Sequence, residues 1–319
     1  MSDTDIMIHA EAIPRVATFT DRDDRFHFDE IGNGWWATET AWFSFVVPER
    51  NMGGWLYTMV RPTIGTVAGG VWVWDDTAVY PWQVPYSRNL AVMPLDRSQD
   101  LDRIDLANSV SITTVKPRMV YDLAFSDPGK LELDLRFAGT MEPFGLENAS
   151  VNGAHFDQVG RMSGEIVLRG ESIKIDCLSV RDRSWGERRE DIVPHVAYIT
   201  GIGDEQNSFL AITDTHREGI PIYGYIQRDG EVAPVVSGRR TDKRDPHHGW
   251  ISSITVELKD TLGRELRAEG RPASRIIIDR RSFIDCNSLV EWSYDGFTSA
   301  WGEDQDLWSM HDWPGARRL

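Results

Sequence analysis

The chain is built from short runs in which apolar and polar side chains alternate. Alternation with a period of two predicts β-strands that turn one face towards a core, whereas windows with helical spacing of apolar positions are rare. Turn residues separate the runs, as at residues 127–130 (DPGK) and 229–230 (DG). Short strands with such turns are typical of antiparallel sandwiches and barrels, so we predict an all-β protein. The runs include ATETAWFSFVV, GGVWVWDD, KLELDLRFAG, SIKIDCLSV and ISSITVELKD.

The pattern also predicts hairpins and a division into two parts. The runs GEIVLRG and ESIKIDCLSV alternate on either side of a turn at Gly170. Segments 119–140 and 254–272 each contain a strand, a turn with Asp and Gly, a charged alternating strand and a final glycine. This weak repeat indicates two related β-units stacked together, although chance repetition of a hairpin pattern is an alternative. We therefore expect two domains, residues 1–165 and residues 166–319.

Composition narrows the class of protein. A length of 319 residues is enough to bury a hydrophobic core. The net charge of −16 argues against a nucleic acid or an anionic membrane surface as a binding partner. We find no apolar run of about 18 residues and no signal peptide, so we expect a cytoplasmic protein without an integral membrane segment. Cys177 and Cys286 are too few for a disulfide framework, although a single bridge between them stays an alternative.

Tryptophan is unusually abundant, with 13 residues in the chain. Aromatic side chains bury large areas, and the indole N–H needs a hydrogen-bond partner. Either a thick β core or an aromatic-lined cavity explains so many, and for the group we favour a cavity that binds a hydrophobic small molecule. The residues predicted to contact it are Trp36, Trp42, Trp55, Tyr57, Trp72, Trp74, Trp82, Trp185 and Trp292.

The motifs of the common enzyme classes are missing from the sequence. There is no nucleophile elbow, phosphate-binding loop or Cys-x-x-Cys pair. His247 and His248 are adjacent, and neighbours on a strand point to opposite faces, so joint metal ligation is not expected. We therefore predict neither a metal nor a cofactor.

Asp182 is the first candidate for chemistry. It lies between Arg181 and Arg183 and shortly before Trp185. The structural alternative is an ion pair between Asp182 and an arginine, whereas the functional alternative is a general acid whose carboxyl stays neutral in an apolar pocket.

His155 and Glu39 are the second and third candidates. Phe156, Asp157 and Gln158 follow His155 and could fix its tautomer, so it is either a base or a structural histidine. Alternation places Glu39 on one face of its strand with tryptophans nearby, which fits either an exposed edge residue or an acid in an aromatic pocket.

The segment 153–189 resembles the superfamily of AttH-like proteins and carotenoid 1,2-hydratase, which also contains tocopherol cyclase and lipocalin-like Diels–Alderases. The match is good over residues 150–190 and weaker over the last thirty residues. Many relatives have histidine at position 183, where this chain has arginine, so no role there can use a titrating imidazole. The matching residues are His155, Phe156, Gln158, Gly160, Gly164, Gly170, Arg181 to Gly186, Arg188, Glu291 and Trp292.

The resemblance implies two lipocalin-like β-barrels packed side by side. It further implies a cofactor-independent enzyme that hydrates, dehydrates, isomerises or cyclises a hydrophobic isoprenoid, steroid or aromatic molecule. Asp182 or Glu39 would donate the proton, and His155 would act as base or position water. A non-catalytic carrier and a cyclase that works by pocket shape alone are alternatives, and a homodimer is left open. Structural or orienting roles fall to Arg181, Arg183, Arg188, Gln158 and Glu291.

Overall fold

The computed structural model describes residues 14–147, 151–189, 195–280, 283–309 and 312. The chain divides into two compact units, one over residues 17–189 and the other over residues 14–16 together with the described residues from 195 onward. The division thus comes later than residue 165, because that position lies inside a long hairpin whose two strands pair along their whole length. Both strands of the hairpin stay in the first unit.

The first unit is an antiparallel sheet. In the part of the chain that the structure describes, its ten strands follow the order β4-β3-β2-β1-β10-β9-β8-β7-β6-β5, so β4 and β5 are its edges. It is therefore an open half-barrel, which agrees with the lipocalin-like fold that was expected. The strands are β1 (Ala37–Val47), β2 (Met52–Arg61), β3 (Thr66–Trp74), β4 (Tyr86–Pro94), β5 (Arg103–Asp105), β6 (Ser111–Lys116), β7 (Val120–Asp127), β8 (Leu131–Gly139), β9 (Val151–Leu168) and β10 (Glu171–Glu187).

The second unit is a closed barrel in which each strand pairs with the next and β18 pairs with β11. Its interior contains an apolar cluster that includes Phe209, Val256 and Trp292. The all-β, lipocalin-like class is thereby confirmed. The described strands are β11 (Val196–Asp204), β12 (Asn207–Asp214), β13 (Ile220–Arg228), β14 (Glu231–Arg244), β15 (Ile251–Asp260), β16 (Glu265–Asp279), β17 (Phe283–Tyr294) and β18 (Phe297–Ser309).

The hairpins follow the sequence pattern closely. The turn between β9 and β10 places Arg169 at φ 53° and Gly170 at φ 89°, the left-handed backbone that a tight two-residue turn requires. The two repeated segments form the hairpins β7–β8 and β15–β16. Along β8, buried and more exposed residues alternate, which is the expected pattern for a sheet with one face on a core.

The strand β1 differs from β8 because both of its faces are buried. A segment of irregular structure before β1, which includes a 3-10 turn at Asp21–Asp24, covers part of one face. Phe19 and Ile31 from this segment pack against Phe156 and Trp185 in an apolar cluster. Burial on both faces explains why ATETAWFSFVV is rich in apolar residues at odd and even positions.

Two further findings concern the class of protein. Cys177 lies in β10 and Cys286 in β17, and both are buried free thiols, so the alternative of a bridge between them is wrong. Among the described residues, no helix has the length and apolar character needed to cross a membrane.

Candidate functional site

The site is built on neighbouring positions of three strands. Asp182 in β10 is directly opposite Trp42 of β1 and Asp157 of β9. Two residues further along β10, Ser184 is opposite His155. Because side chains two apart on a strand share a face and opposite residues of paired strands do too, all five side chains lie on one face of the sheet.

His155 lies between two carboxylates on this face. Its Nε2 atom is 2.9 Å from Oδ2 of Asp157, and its Nδ1 atom is 3.2 Å from Oδ2 of Asp182. Asp157 is fully buried, whereas the side chains of His155 and Asp182 retain exposed fractions of 14% and 16%. His155 and Asp182 therefore keep some contact with solvent, whereas Asp157 contacts the ring from the buried side.

The three groups perturb one another electrostatically. Burial alone would lower the pKa of His155, but the charges of Asp157 and Asp182 outweigh it and raise the pKa to about 9. Burial raises the pKa of Asp182, and the nearby charge of Asp157 acts in the same direction. The imidazole is therefore protonated at neutral pH, and the Asp182 carboxyl is easier to protonate than an exposed one.

This arrangement predicts a pH dependence of stability. A histidine whose pKa rises from 6.5 to about 9 on folding stabilises the protein fully below pH 6.5, and the contribution is lost as the pH rises through about 9. We expect the free energy of unfolding, measured in urea, to fall by about 1–3 kcal/mol over that interval. In His155→Gln the fall should be much smaller; parallel curves for the two proteins would contradict the prediction.

The same three side chains have the composition of a metal site. One ligand atom from each of His155, Asp157 and Asp182 lies within 4.8 Å of the others. A metal would require the ring lone pair and both carboxylates to point at a common centre. Here Nε2 of His155 is hydrogen-bonded to Asp157, and Nδ1 lies 3.2 Å from Oδ2 of Asp182. Both ring nitrogens thus have a carboxylate neighbour, an arrangement that suits a protonated imidazole.

Glu39 lies on the opposite face of the sheet, away from Asp182. Its carboxylate forms a very short ion pair with Arg183 and lies 3.6 Å from Nδ1 of His27, and its Oε1 accepts the His27 N–H at 2.6 Å. Burial would raise the pKa of Glu39, but Arg183 and His27 outweigh it, so the pKa lies below its ordinary value. An ionised carboxylate in this position is not a proton donor, so the expected role of Glu39 as an acid does not fit.

Arg181 and Gln158 also lie on the opposite face. The Nε atom of Arg181 donates to Oε1 of Gln158 at 2.7 Å, and Nη1 lies 3.4 Å from Oδ1 of the buried Asp24. Gln158 in turn donates to the carbonyl of Met141 at 2.6 Å. The arginines that flank Asp182 in sequence are therefore bound on the other side of the sheet, and Asp182 pairs with His155 instead.

The predicted aromatic residues separate into groups. Trp42, Tyr57, Trp55 and Trp72 share the face of Asp182, and Trp42 is nearest because it is directly opposite Asp182. The rings pack edge to face, with centroids 5.6 Å apart for Trp42 and Trp55 and 6.3 Å for Trp55 and Trp72. Most of these four aromatic side chains therefore pack against one another as part of the core. Trp42 and Tyr57 are the two that lie beside Asp182 and His155.

The remaining aromatic candidates lie elsewhere. Trp74 belongs to the same packed group, with its ring 5.4 Å from Trp55. Trp82 is 78% exposed and stacks on Tyr80, so it does not line an interior. Trp36 is half-buried before β1. Trp185 stacks on His27, with centroids 4.0 Å apart, on the face of Glu39.

Trp292 and Glu291 are residues of the second unit. Trp292 is fully buried in the apolar cluster of the barrel. Glu291 forms a very short ion pair with Arg271 and accepts a hydrogen bond from Ser299 at 3.0 Å. Both roles are structural, so the C-terminal resemblance to the superfamily marks barrel architecture here.

The barrel also holds a polar cluster that the sequence did not indicate. Arg240 binds both carboxylate oxygens of Asp304 at 2.9 and 3.0 Å, and Arg244 binds Asp306 at 2.7 Å. The indole of Trp308 donates to Asp306 at 2.6 Å. Burial raises the pKa of Asp304 to about 6 despite the Arg240 charge. Because each of these two carboxylates has its own arginine, the cluster serves to satisfy buried charge.

Sequence reasoning missed three residues that matter in the first unit. In the sequence analysis Asp157 counts only as a chain neighbour of His155, whereas its spacing of two along a strand places both side chains on one face. Asp24 and His27 come from the irregular segment before β1, which carries no motif. Only for Asp157 was a usable signal present in the sequence.

Comparisons with known proteins agree with this architecture. The model of a family described as a domain of unknown function (DUF7064) matches residues 20–303. No curated protein matches the chain. One similar solved structure is a candidate AttH from Nitrosomonas europaea, with 13% identity and a TM-score of 0.60 over 89% of this chain and 95% of that one. CghA with Sch210972 has 11% identity and a TM-score of 0.55 over 92% of this chain and 94% of that one. Kievitone hydratase from Nectria haematococca has 9% identity and a TM-score of 0.53 over 89% of this chain and 93% of that one. The AttH-like fold indicated by segment 153–189 is thereby confirmed.

Proposed function

This chain belongs to the DUF7064 family, and we propose that it is a cofactor-independent enzyme that performs acid–base chemistry on a hydrophobic small molecule. The reaction class is hydration or dehydration of a double bond, or a related isomerisation or cyclisation. The observation that carries the proposal is the Asp182–His155 pair, 3.2 Å apart, with Trp42 directly opposite Asp182. A proton source beside an aromatic side chain is the minimum that this chemistry needs.

In the proposed hydration, Asp182 acts first as acid and then as base. Its carboxyl transfers a proton to one carbon of the double bond, and water then bonds to the other carbon. The proton that this water loses returns to the Asp182 carboxylate, so the enzyme regains its starting state. The reverse sequence removes water. Protonated His155 stabilises the carboxylate between the two transfers, which assigns it a positioning role in place of the expected role as base.

The apolar side of the site suits a largely hydrocarbon ligand. Trp42 and Tyr57, opposite each other on β1 and β2, are 5% and 9% exposed and lie next to the polar groups. The face of an indole also attracts positive charge that develops on carbon. The printed name of kievitone hydratase, one of the proteins with a similar fold, further supports hydration as the first reaction to test. Cytoplasmic location and a homodimer remain predictions from the sequence.

A lipocalin-like binding protein without turnover is the second candidate. The observation that favours it is that Glu39 does not join Asp182 and His155, so Asp182 is the one partly exposed carboxyl of the described cluster. A carrier needs an apolar surface and a few polar anchors, and both are present.

Ligand binding and product analysis together separate the two candidates. We expect quenching of intrinsic tryptophan fluorescence by at least one member of a panel of isoprenoids, steroids and aromatic compounds, because Trp42 borders the site. Mass spectrometry of the same mixtures should show gain or loss of 18 mass units, or an isomer. Binding without any chemical change would favour the carrier, and a panel without any binding ligand would refute both candidates.

A further inference from the structure

Arg188 adds a cation to the site that the proposed chemistry does not use. It is the first residue after β10, and its backbone N–H donates to the carbonyl of Trp36 at 3.0 Å. Its Nη2 atom donates to Oγ of Ser184 at 2.8 Å, and Ser184 Oγ lies 2.8 Å from Oγ1 of Thr40. Ser184 is on the face of Asp182 and His155, so these hydrogen bonds hold the guanidinium on that face.

The Arg188 guanidinium forms no ion pair with a carboxylate among the residues that the structure describes. Its side chain donates a hydrogen bond to Ser184, and its charge acts at longer range on His155 and Asp182, where it opposes the rise in the pKa of both groups. By contrast, Arg181 and Arg183 are bound to Asp24 and Glu39 on the other face. Arg188 is also exposed, so it is open to an external anion.

The charge balance at the site depends on the state of Asp182. With Asp182 ionised, the cations His155 and Arg188 balance the anions Asp157 and Asp182; when Asp182 holds the proton that it donates in the proposed reaction, two cations remain beside one anion. A pure hydrocarbon would leave this excess positive charge uncompensated, and protonation of its double bond would add more. An anionic oxygen on the ligand would cancel the excess, and guanidinium is the group best suited to bind it.

We infer that the ligand of this site carries an anionic oxygen, of a carboxylate, phenolate or enolate, which binds the Arg188 guanidinium beside Asp182. The inference rests on the proposed function for its location and narrows the substrate class from hydrocarbons to acidic amphiphiles. Arg188 thereby becomes a specificity-determining residue. Lysine in its place would retain the charge but lose the planar, two-pronged hydrogen bonding.

The test uses pairs of ligands that differ in charge and little else. The probes are 2-naphthoate and 2-naphthamide, geranate and geranamide, and cholanoate and cholanamide, with dissociation constants from titration calorimetry on the full chain. We expect wild type to bind the carboxylate of at least one pair about tenfold more tightly than the amide. Arg188→Gln should abolish this preference and leave amide binding unchanged, and Arg188→Lys should retain part of it.

The matched control removes the cation of Arg161, which lies on the same face of the sheet but far from His155. Arg161 pairs with Asp176 and lies six positions along β9 from His155, which is about 20 Å. Arg161→Gln should keep the full preference for carboxylates. The inference is overturned if wild type binds no carboxylate of the three pairs, if it shows no preference, or if Arg188→Gln retains the preference.

Failure of the inference can be told apart from failure of the proposed function. Asp182→Asn should lose turnover and keep the preference for carboxylates, because Arg188 and its hydrogen bond to Ser184 stay in place. Turnover that depends on Asp182 without any carboxylate preference would refute only the inference. A preference that depends on Arg188 without turnover of any ligand would refute only the enzyme.

Discussion

Asp182→Asn is expected to lower the turnover number by about a hundredfold to ten-thousandfold, the range that loss of a general acid produces. Asparagine has nearly the same shape but cannot deliver a proton to carbon. Ligand affinity should change by less than about threefold, because the side chain contributes its chemistry chiefly in the transition state. The measurement is steady-state kinetics on the substrate that the panel identifies, together with its dissociation constant.

The matched control is Asp176→Asn on the same strand and the same face of the sheet. Asp176 is exposed and paired with Arg161, so its loss should leave turnover unchanged. Equal turnover numbers for wild type and Asp182→Asn would eliminate Asp182 as the acid. That result would favour the alternative in which pocket shape alone guides the reaction.

Arg183→Met is expected to lower the free energy of unfolding of the protein by about 3–5 kcal/mol. Arg183 is 1% exposed and pairs with fully buried Glu39, which would be left with an uncompensated charge. The guanidinium also donates to the carbonyls of Thr40 and Arg25 at 3.2 and 3.0 Å, so it ties the segment before β1 to the sheet. Urea unfolding measures the loss.

Two variants show whether the uncompensated charge is the cause. Arg183→Met combined with Glu39→Leu removes both charges and should recover much of the lost stability, because well-packed apolar residues can replace a buried ion pair. Arg136→Met breaks an exposed pair with Asp122 at 2.7 Å and should lower stability by less than about 1 kcal/mol. Equal losses in Arg183→Met and Arg136→Met would contradict the argument.

These two predictions separate the roles of adjacent residues that the sequence presents as one motif. Asp182 and Arg183 are neighbours in the chain, yet they lie on opposite faces of β10 and belong to different networks. Arg183, the position at which this chain departs from the resemblance, holds Glu39. The departure from the superfamily pattern therefore concerns the stability of the half-barrel and leaves the Asp182–His155 pair intact.

Much of this protein was determined by its sequence alone, because the responsible interactions are local. Alternation along the chain sets strand type, and glycine at position 170 permits the turn between β9 and β10. Alternation also assigns Asp182 and Arg183 to opposite faces of β10. A comparison of motifs misses this, because it treats the two adjacent residues as one unit. His155 and Asp182 could be named as candidates because their residue types and the resemblance pointed to them independently.

The tertiary structure alone decided which of those groups meet. The carboxylate of Glu39 and the guanidinium of Arg183 are 144 positions apart in sequence, and only the order and register of the strands bring them together. The same register places Asp157 and His155 beside Asp182, and it leaves Trp82 outside the sheet. Local patterns determine which face a side chain occupies, whereas pairing between distant strands depends on the packing of the whole sheet.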